Sequence, residues 1–359
     1  MSEITTLQII GSKKLGGAES FFIRLHEAFV RSSTLSSVAI TPPASELRES
    51  LSEPVDTAHM RSVFDPFSRL GLSRLIRHYQ PDIVQTWMGR ATRLVHLNPS
   101  KGPVHVARLG GFYDPAQYQH AHALVGNTHA ICDFLVESGI PSSRVSHISN
   151  FVPIPQQTSM QERQHFRKSL SLPEDALILF ALGRLHENKG FDTLIKAFES
   201  LPPALSGRPV HLLLAGDGPL RSGLESQAAA STAASRIHWL GWQRNPTPFF
   251  HIADLFVCPS RHEPLGNVIL EAWAHHCPLV STRTHGALEL IEDGNSGLLC
   301  DVDAAGQMAN QIKILLQASD MERQALVDQG VAVLDAKFSE CVILQAYQNL
   351  YEQLLKRVI

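Results

Sequence analysis

Short apolar segments alternate along the chain with longer stretches in which apolar positions recur every three or four residues. Leu7–Ile10, Val38–Ile40, Asp82–Thr86, Val104–Ala107 and Ala123–Val125 have strand character. Ala18–Val30, Arg69–Tyr79 and Thr128–Ser138 have helical spacing, the first with Phe21, Phe22, Leu25 and Phe29 on one side. Pro81 stops the second. Strands alternating with helices predict a parallel sheet covered on both faces.

The stretch Asn150 to Gln164 holds Pro153 and Pro155 and then turns polar, a composition that suits a linker. Beyond it the alternation restarts. Leu177–Leu182, Val210–Ala215, Ile237–Leu240, Leu255–Cys258, Leu279–Ser281 and Gly297–Cys300 read as strands. Phe191–Leu201, Leu220–Ala230, Asn267–His275 and Ala287–Ile291 read as helices, and long helices run from Ala304 to Ala318 and from Met321 onward. The simplest architecture is α/β, with two consecutive doubly wound units at 1–153 and 154–340 and a last helix, 341–359, packed back on the first. Ligands of open parallel sheets sit beyond the carboxyl ends of the strands, so a cleft between two facing domains is the expected site.

Composition narrows the function. The chain has 359 residues, 44% hydrophobic and 18% charged, with a net charge of -3. That balance is globular and lacks the basic excess of a nucleic-acid binder. Five cysteines without CxxC spacing suit a reducing cytoplasm rather than a disulfide framework or a zinc site. His120 with His122, and His275 with His276, read as solvated or core histidines. The opening MSEITTLQII lacks the basic-then-apolar layout of a signal peptide, and no apolar stretch reaches the roughly 20 residues of a membrane span. A cytoplasmic protein is expected, with any membrane role peripheral.

Three loops carry candidate chemistry. Gly11 to Glu19, with Gly16 and Gly17, joins a strand to a helix start, where backbone amides and the helix dipole attract anions; a plain tight turn accounts for it equally. Gly183 to Gly190 places Arg184 and Lys189 at a strand's carboxyl end, where both could reach a diphosphate; two solvated charges flanking a turn is the other reading. The third is Pro259-Ser-Arg-His-Glu263-Pro-Leu265-Gly266-Asn267-Val268-Ile-Leu-Glu271. Glu271 sits among Val268, Ile269, Leu270, Ala272 and Trp273, too apolar a setting for a purely solvated carboxylate. Two vicinal ribose hydroxyls would match its two oxygens. Gly266 leaves room for backbone amides to approach a sugar or a phosphate.

These segments resemble the retaining glycosyltransferase family 4, which has the GT-B fold of two Rossmann-like domains. The resemblance rests on GGAE (Gly16–Glu19), GRLHENKG (Gly183–Gly190), LLLAGDGPLR (Leu212–Arg221), LGW (Leu240–Trp242), ADLFVCPSRHEPLGNVILEA (Ala253–Ala272) and HGALELIEDGNSGLL (His285–Leu299). Glu263 and Glu271 fall on the family's E-x7-E pair. The resemblance implies that Arg184 and Lys189 bind the donor diphosphate and neutralise the leaving group. It implies Glu271 on the donor ribose, Glu263 near the transferred sugar, and Leu265, Gly266, Asn267 and Val268 on sugar hydroxyls and phosphate. Gly16 and Gly17 would meet the diphosphate, Gly216 would belong to the donor site, and Leu240, Trp242 and their neighbours to Arg244 would contact the nucleobase. Such enzymes are typically metal-independent, so no cofactor is expected.

The N-terminal half departs from the family. Many relatives carry a histidine where this chain has Trp87-Met-Gly-Arg90 or Arg108-Leu-Gly110-Gly-Phe-Tyr-Asp114. A retaining front-face reaction can instead use the departing phosphate oxygen as base. Arg90, Arg108, Gly110 and Asp114 are the candidate acceptor contacts; for Arg90 and Arg108 the alternative is surface ion pairing. Arg61 to His78 mixes Arg61, Arg69, Arg74 and Arg77 with Phe64, Phe67, Leu70, Leu72, Leu75 and Ile76. It reads either as a helix covering the sheet or as a basic amphipathic segment for the inner membrane face. The expected reaction is hexose transfer from a nucleoside diphosphate sugar, UDP-linked by family frequency. The expected acceptor is a glycan or glycolipid such as lipopolysaccharide or surface polysaccharide. The rivals are a sugar-phosphate synthase or phosphorylase with a soluble acceptor, and a non-catalytic nucleotide-sugar-binding protein.

Overall fold

A computed structural model describes residues 3–98 and 102–358; Met1 and Ser2 of the opening run and Ile359 of the last helix lie outside the described residues. The chain divides into two compact units, Met1–Val152 with Lys337–Ile359, and Pro153–Ala336. The first break lies one residue before the expected boundary, and the chain returns to the first unit at Lys337 rather than at 341.

The first unit holds one parallel sheet of β1 (Ile4–Ile10), β2 (Leu35–Thr41), β3 (Val55–Thr57), β4 (Ile83–Trp87), β5 (Val104–Leu109), β6 (Ala123–Gly126) and β7 (Val145–His147), in the order β3-β2-β1-β4-β5-β6-β7. The second unit repeats the plan with β8 (Leu177–Leu182), β10 (Arg208–Ala215), β11 (Ile237–Gly241), β12 (Leu255–Cys258), β13 (Leu279–Thr282) and β14 (Leu298–Cys300), in the order β11-β10-β8-β12-β13-β14. A two-residue β9 (Ala204–Leu205) lies antiparallel to β10. Strand order therefore reverses between β1 and β4 in one unit and between β8 and β12 in the other. Crevices open at such reversals because successive crossover helices leave to opposite faces.

Both sheets are buried on both faces, which is why strands such as β8 and β12 read as unbroken apolar runs. The first unit's core packs Phe21, Phe22 and Phe29 of helix Gly17–Arg31 against Trp87, Phe151, Tyr347 and Tyr351. Tyr347 and Tyr351 come from the terminal helix Glu340–Val358, so that helix completes this core.

A buried polar chain runs through the same core. The Arg108 Nε donates to the Tyr347 hydroxyl at 2.9 Å, and a guanidinium Nη donates to the Asn150 side chain. The Tyr351 hydroxyl donates to Gln85 at 2.8 Å, Gln85 to Gln8 at 3.0 Å, and the Trp87 indole N–H to Gln8 at 2.9 Å. The Arg108 guanidinium also lies 4.5 Å from the Phe21 ring centroid and 4.7 Å from that of Trp87. Arg108 is 3% exposed. Acceptor contact and surface ion pairing both required it at the surface, and that placement is corrected. The two aromatic faces and the hydrogen bonds replace the water that this charge loses. Tyr347→Phe removes one hydrogen bond from a buried cation and is expected to lower unfolding free energy by about 2 kcal/mol. Urea denaturation reads this directly, and an unchanged midpoint would overturn the role given to the hydroxyl.

Candidate active site

In the second unit the loops that follow β8 and β12 meet at the strand-order reversal. The first is Gly183 to Gly190. Gly190 has φ +61°, and a Cβ there would stand 2.1 Å from the Pro259 carbonyl oxygen, so only glycine permits this approach to the second loop. Arg261 fastens the two loops together. Its backbone N–H and that of His262 donate to the Asn188 carbonyl at 2.8 and 3.1 Å. Its guanidinium forks onto both Asp192 oxygens at 2.8 and 2.7 Å, and its Nε reaches Asp303 at 2.6 Å. Hydrogen bonding to Asp192, with Asp303 adding to it, raises the Arg261 pKa further above its ordinary value. Arg261 thereby fixes the geometry of the loop that carries Glu263.

Lys189 and Glu263, 74 positions apart in sequence, form an ion pair in this crevice, with side chains 25% and 14% exposed. Ser260 donates its hydroxyl to the same Glu263 oxygen at 3.3 Å. Burial by itself lowers the lysine pKa, but the charge and hydrogen bond of Glu263 outweigh it and hold the ammonium above its ordinary range. Cys258 lies beneath the pair, its thiol pushed up by burial and by Glu263. Arg184, on the same loop as Lys189, is exposed and makes no ion pair or side-chain hydrogen bond among the described residues.

The helix Asn267–Ala274 begins directly after the Glu263 loop. Gly266 caps it in the left-handed region at φ 94°. The N–H groups of a helix's first turn have no partner within the helix and carry its positive dipole end, and Gly266, Asn267 and Val268 stand at that end. Leu265 is buried, while Asn267 and Val268 are half-buried. Glu271 lies one turn further along, also half-buried. At the neighbouring strand ends Gly216 has φ +141° and donates its N–H to the Gly241 carbonyl at 2.8 Å. A Cβ on Gly216 would stand 1.9 Å from the Gly183 carbonyl oxygen. Leu240 is half-buried at the end of β11, and Trp242 follows it with 56% of its surface exposed. An exposed indole beyond a strand's carboxyl end offers a flat face for stacking.

In the first unit Gly16 and Gly17 stand where helix Gly17–Arg31 begins, after β1. Arg90 is exposed on helix Met88–Leu94, after β4, and its Nη1 donates to the Gly11 carbonyl at 3.3 Å. Gly110 is half-buried after β5. Asp114 is exposed, and its carboxylate caps a short turn by accepting the Ala116 N–H at 3.1 Å. Sequence reasoning missed one further pair. His129 and His147, near the carboxyl ends of β6 and β7, have ring centroids 3.8 Å apart. Burial and then the His129 charge push His147 down to about 4. They stand 18 positions apart in unrelated local patterns, so no motif announces them.

Residues 162–330 match the family model described as Glycosyl transferases group 1. The chain is 33% identical over 351 residues to the lipopolysaccharide core biosynthesis glycosyltransferase LpsE of Rhizobium meliloti (strain 1021), covering 94% of this chain and 96% of that protein. LpsD of the same organism, also a lipopolysaccharide core biosynthesis glycosyltransferase, is 28% identical over 352 residues, with 94% and 95% covered. Among solved structures, HepE of Anabaena in complex with UDP and glucose matches with a TM-score of 0.83 at 19% identity, covering 98% of this chain and all of that one. At that identity the likeness establishes the fold, which is GT-B. With a one-third identical relative matched over nearly its whole length, the chain belongs to the group 1 glycosyltransferases.

Proposed function

We propose that this glycosyltransferase moves a hexose, with retention of configuration and without a metal ion, from a UDP-linked donor to a glycolipid or glycan acceptor of lipopolysaccharide or surface-polysaccharide assembly. The observation that carries the donor reading is the crevice at the reversal between β8 and β12. There an exposed, unpaired Arg184 and the Lys189–Glu263 pair stand at the strand ends, followed by a helix N-terminus. A donor diphosphate carries two negative charges on tetrahedral phosphates, which a guanidinium can contact bidentately and an ammonium as a point charge, and the same two cations stabilise it as it departs. No metal is required for that step. Glu271 accepts the ribose hydroxyls, Trp242 stacks on the base, and Leu240 and Gly216 line the approach. Glu263 faces the transferred sugar. With no histidine at the two positions after β4 and β5, the departing phosphate oxygen takes the acceptor proton, which favours front-face retention. Arg90, Gly110 and Asp114 are the acceptor candidates of the first unit. LpsE and LpsD, matched over nearly their whole length, support a lipopolysaccharide acceptor, and HepE, solved with UDP and glucose, supports a uridine donor.

The test is a thermal-shift screen of nucleoside diphosphate sugars without added metal, followed by calorimetry. UDP-sugars are expected to raise Tm in EDTA, since a ligand that binds only the folded state stabilises it by mass action. Glu271→Ala is expected to weaken UDP binding by ten- to about a hundredfold, the effect of losing hydrogen bonds to a charged acceptor. Unchanged affinity in that variant would remove the ribose assignment, and activity abolished by EDTA would remove the metal-free one. The anomeric proton coupling in the product, read by NMR, decides retention.

A further inference from the structure

We propose that the N-terminal part of helix Pro66–Tyr79, with the loop before it, docks on an anionic phospholipid surface. The inference is independent of the donor and acceptor reading. Phe64 and Phe67 are 82% and 80% exposed, and Leu70 is 45% exposed. Large rings left this bare cost free energy in water unless something covers them. The opposite face of the same helix already does the work of a sheet-covering helix. Ser68, Leu72 and Ile76 are buried, and Leu72 and Ile76 pack with Leu7, Ile9, Val84 and Leu94. Phe67, Leu70, Arg74 and Arg77 are spaced to share the outward face. The fold therefore does not require these rings to be apolar.

Charge identifies the occupant. Residues 58–79 contain Arg61, Arg69, Arg74 and Arg77 against the single carboxylate Asp65, a net of +3 in a chain whose total is -3. Asp65 is spent on the helix cap, accepting from the Phe67 N–H at 3.1 Å and the Ser68 hydroxyl at 2.6 Å. Arg93 from the next helix lies 5.8 Å from the Phe64 ring centroid and adds a further cation. Beside the rings is a groove of about 460 Å³ lined by His59, Arg61, Phe67, Arg74 and Leu75 among others. Aromatic rings flanked by arginines match a bilayer interface, where rings enter the acyl boundary and guanidinium groups meet phosphates. The groove, with Arg61 and Arg74 on its wall, is placed for a lipid phosphate. Among the described residues no helix is long and apolar enough to cross a membrane, so the contact is peripheral.

Co-sedimentation of the full chain with vesicles tests this. Vesicles of phosphatidylcholine with one-third phosphatidylglycerol are expected to bind it, and vesicles of phosphatidylcholine alone to bind at least tenfold less. Phe64→Ser with Phe67→Ser is expected to lower partitioning at least tenfold with unchanged circular dichroism, since both rings are exposed. Arg74→Gln with Arg77→Gln is expected to lower it by about fivefold per charge, and raised salt to do the same. Equal binding of the wild type and the phenylalanine variant, or no binding to anionic vesicles at low salt, overturns the proposal. So does a wild type that dimerises through this face in sedimentation velocity while the phenylalanine variant is monomeric and neither prefers anionic vesicles. Donor hydrolysis in detergent-free buffer is expected to be the same in all variants, which separates this surface from the donor site.

Discussion

Lys189→Ala is expected to lower sugar transfer by 10²- to 10³-fold and to weaken the folded state at the same time. Two effects act together. On the proposed mechanism, the ammonium stabilises charge that develops on the departing diphosphate, and removing one such preorganised group costs about that factor. The second effect concerns the partner. Without Lys189, the Glu263 carboxylate keeps only the Ser260 hydroxyl among the described residues, in a setting where 14% of its side chain meets water. Breaking a buried pair leaves the other charge unpaired, and since the lysine is a quarter exposed the cost is roughly 2–3 kcal/mol, below that of a fully buried pair. A double variant, Lys189→Met with Glu263→Leu, separates the two effects. It is expected to regain stability while remaining inactive, because two apolar side chains of similar volume replace the pair without its chemistry. Transfer rates and urea midpoints for the three proteins check this. If Lys189→Ala turned over at the wild-type rate, the pair would be a structural contact alone.

Acidification from pH 7.5 to 5 is expected to remove much of the stability of both units before most carboxylates protonate. Burial is the leading cause of a lowered pKa at His26, His96, His105, His122 and His147 in the first unit, and at His211, His238, His251 and His275 in the second. His147 and His251 fall to about 4 from an ordinary 6.5. The folded state therefore binds fewer protons than the unfolded chain. Stability from these groups is fully present above pH 6.5 and is lost as pH falls toward 4. The displacement from 6.5 to about 4 makes these two residues substantial contributors to that loss. The charge of His120 adds to burial in lowering His96, His105 and His122, and the His96 and His120 rings stack with centroids 4.1 Å apart. Urea midpoints measured at pH 7.5, 6 and 5 should fall steadily. A flat profile over that range would refute the buried-neutral reading, and His251→Asn should shallow the slope.

The sequence alone determined the parallel α/β plan, the division into two units, and the loops that hold the candidate donor residues. Each of these rests on local pattern. A doubly buried strand reads as an apolar run, and the loop that follows it lies at the carboxyl end wherever the strand sits in the sheet. Glu263, Glu271, Arg184 and Lys189 were legible for that reason. The three-residue edge strands β3 and β7 were not, because so few positions show no period. The start of helix Met160–Ser169 was hidden in the end of the stretch Asn150 to Gln164 read as linker, although Ser159 and Glu162 form a capping box that announces it.

Only the tertiary structure decided which distant groups meet. Lys189 finds Glu263 because β8 lies beside β12, and parallel neighbours in a doubly wound sheet are joined by long crossovers that no local pattern can pair. Arg261 finds Asp192 across 69 positions by the same adjacency. Arg108 finds Tyr347 across 239 positions, since the chain returns to the first unit only at its last helix. An arginine that local reading places at the surface is thus a buried charge. Its solvation comes from two aromatic rings, a tyrosine hydroxyl and an asparagine gathered from four separate segments.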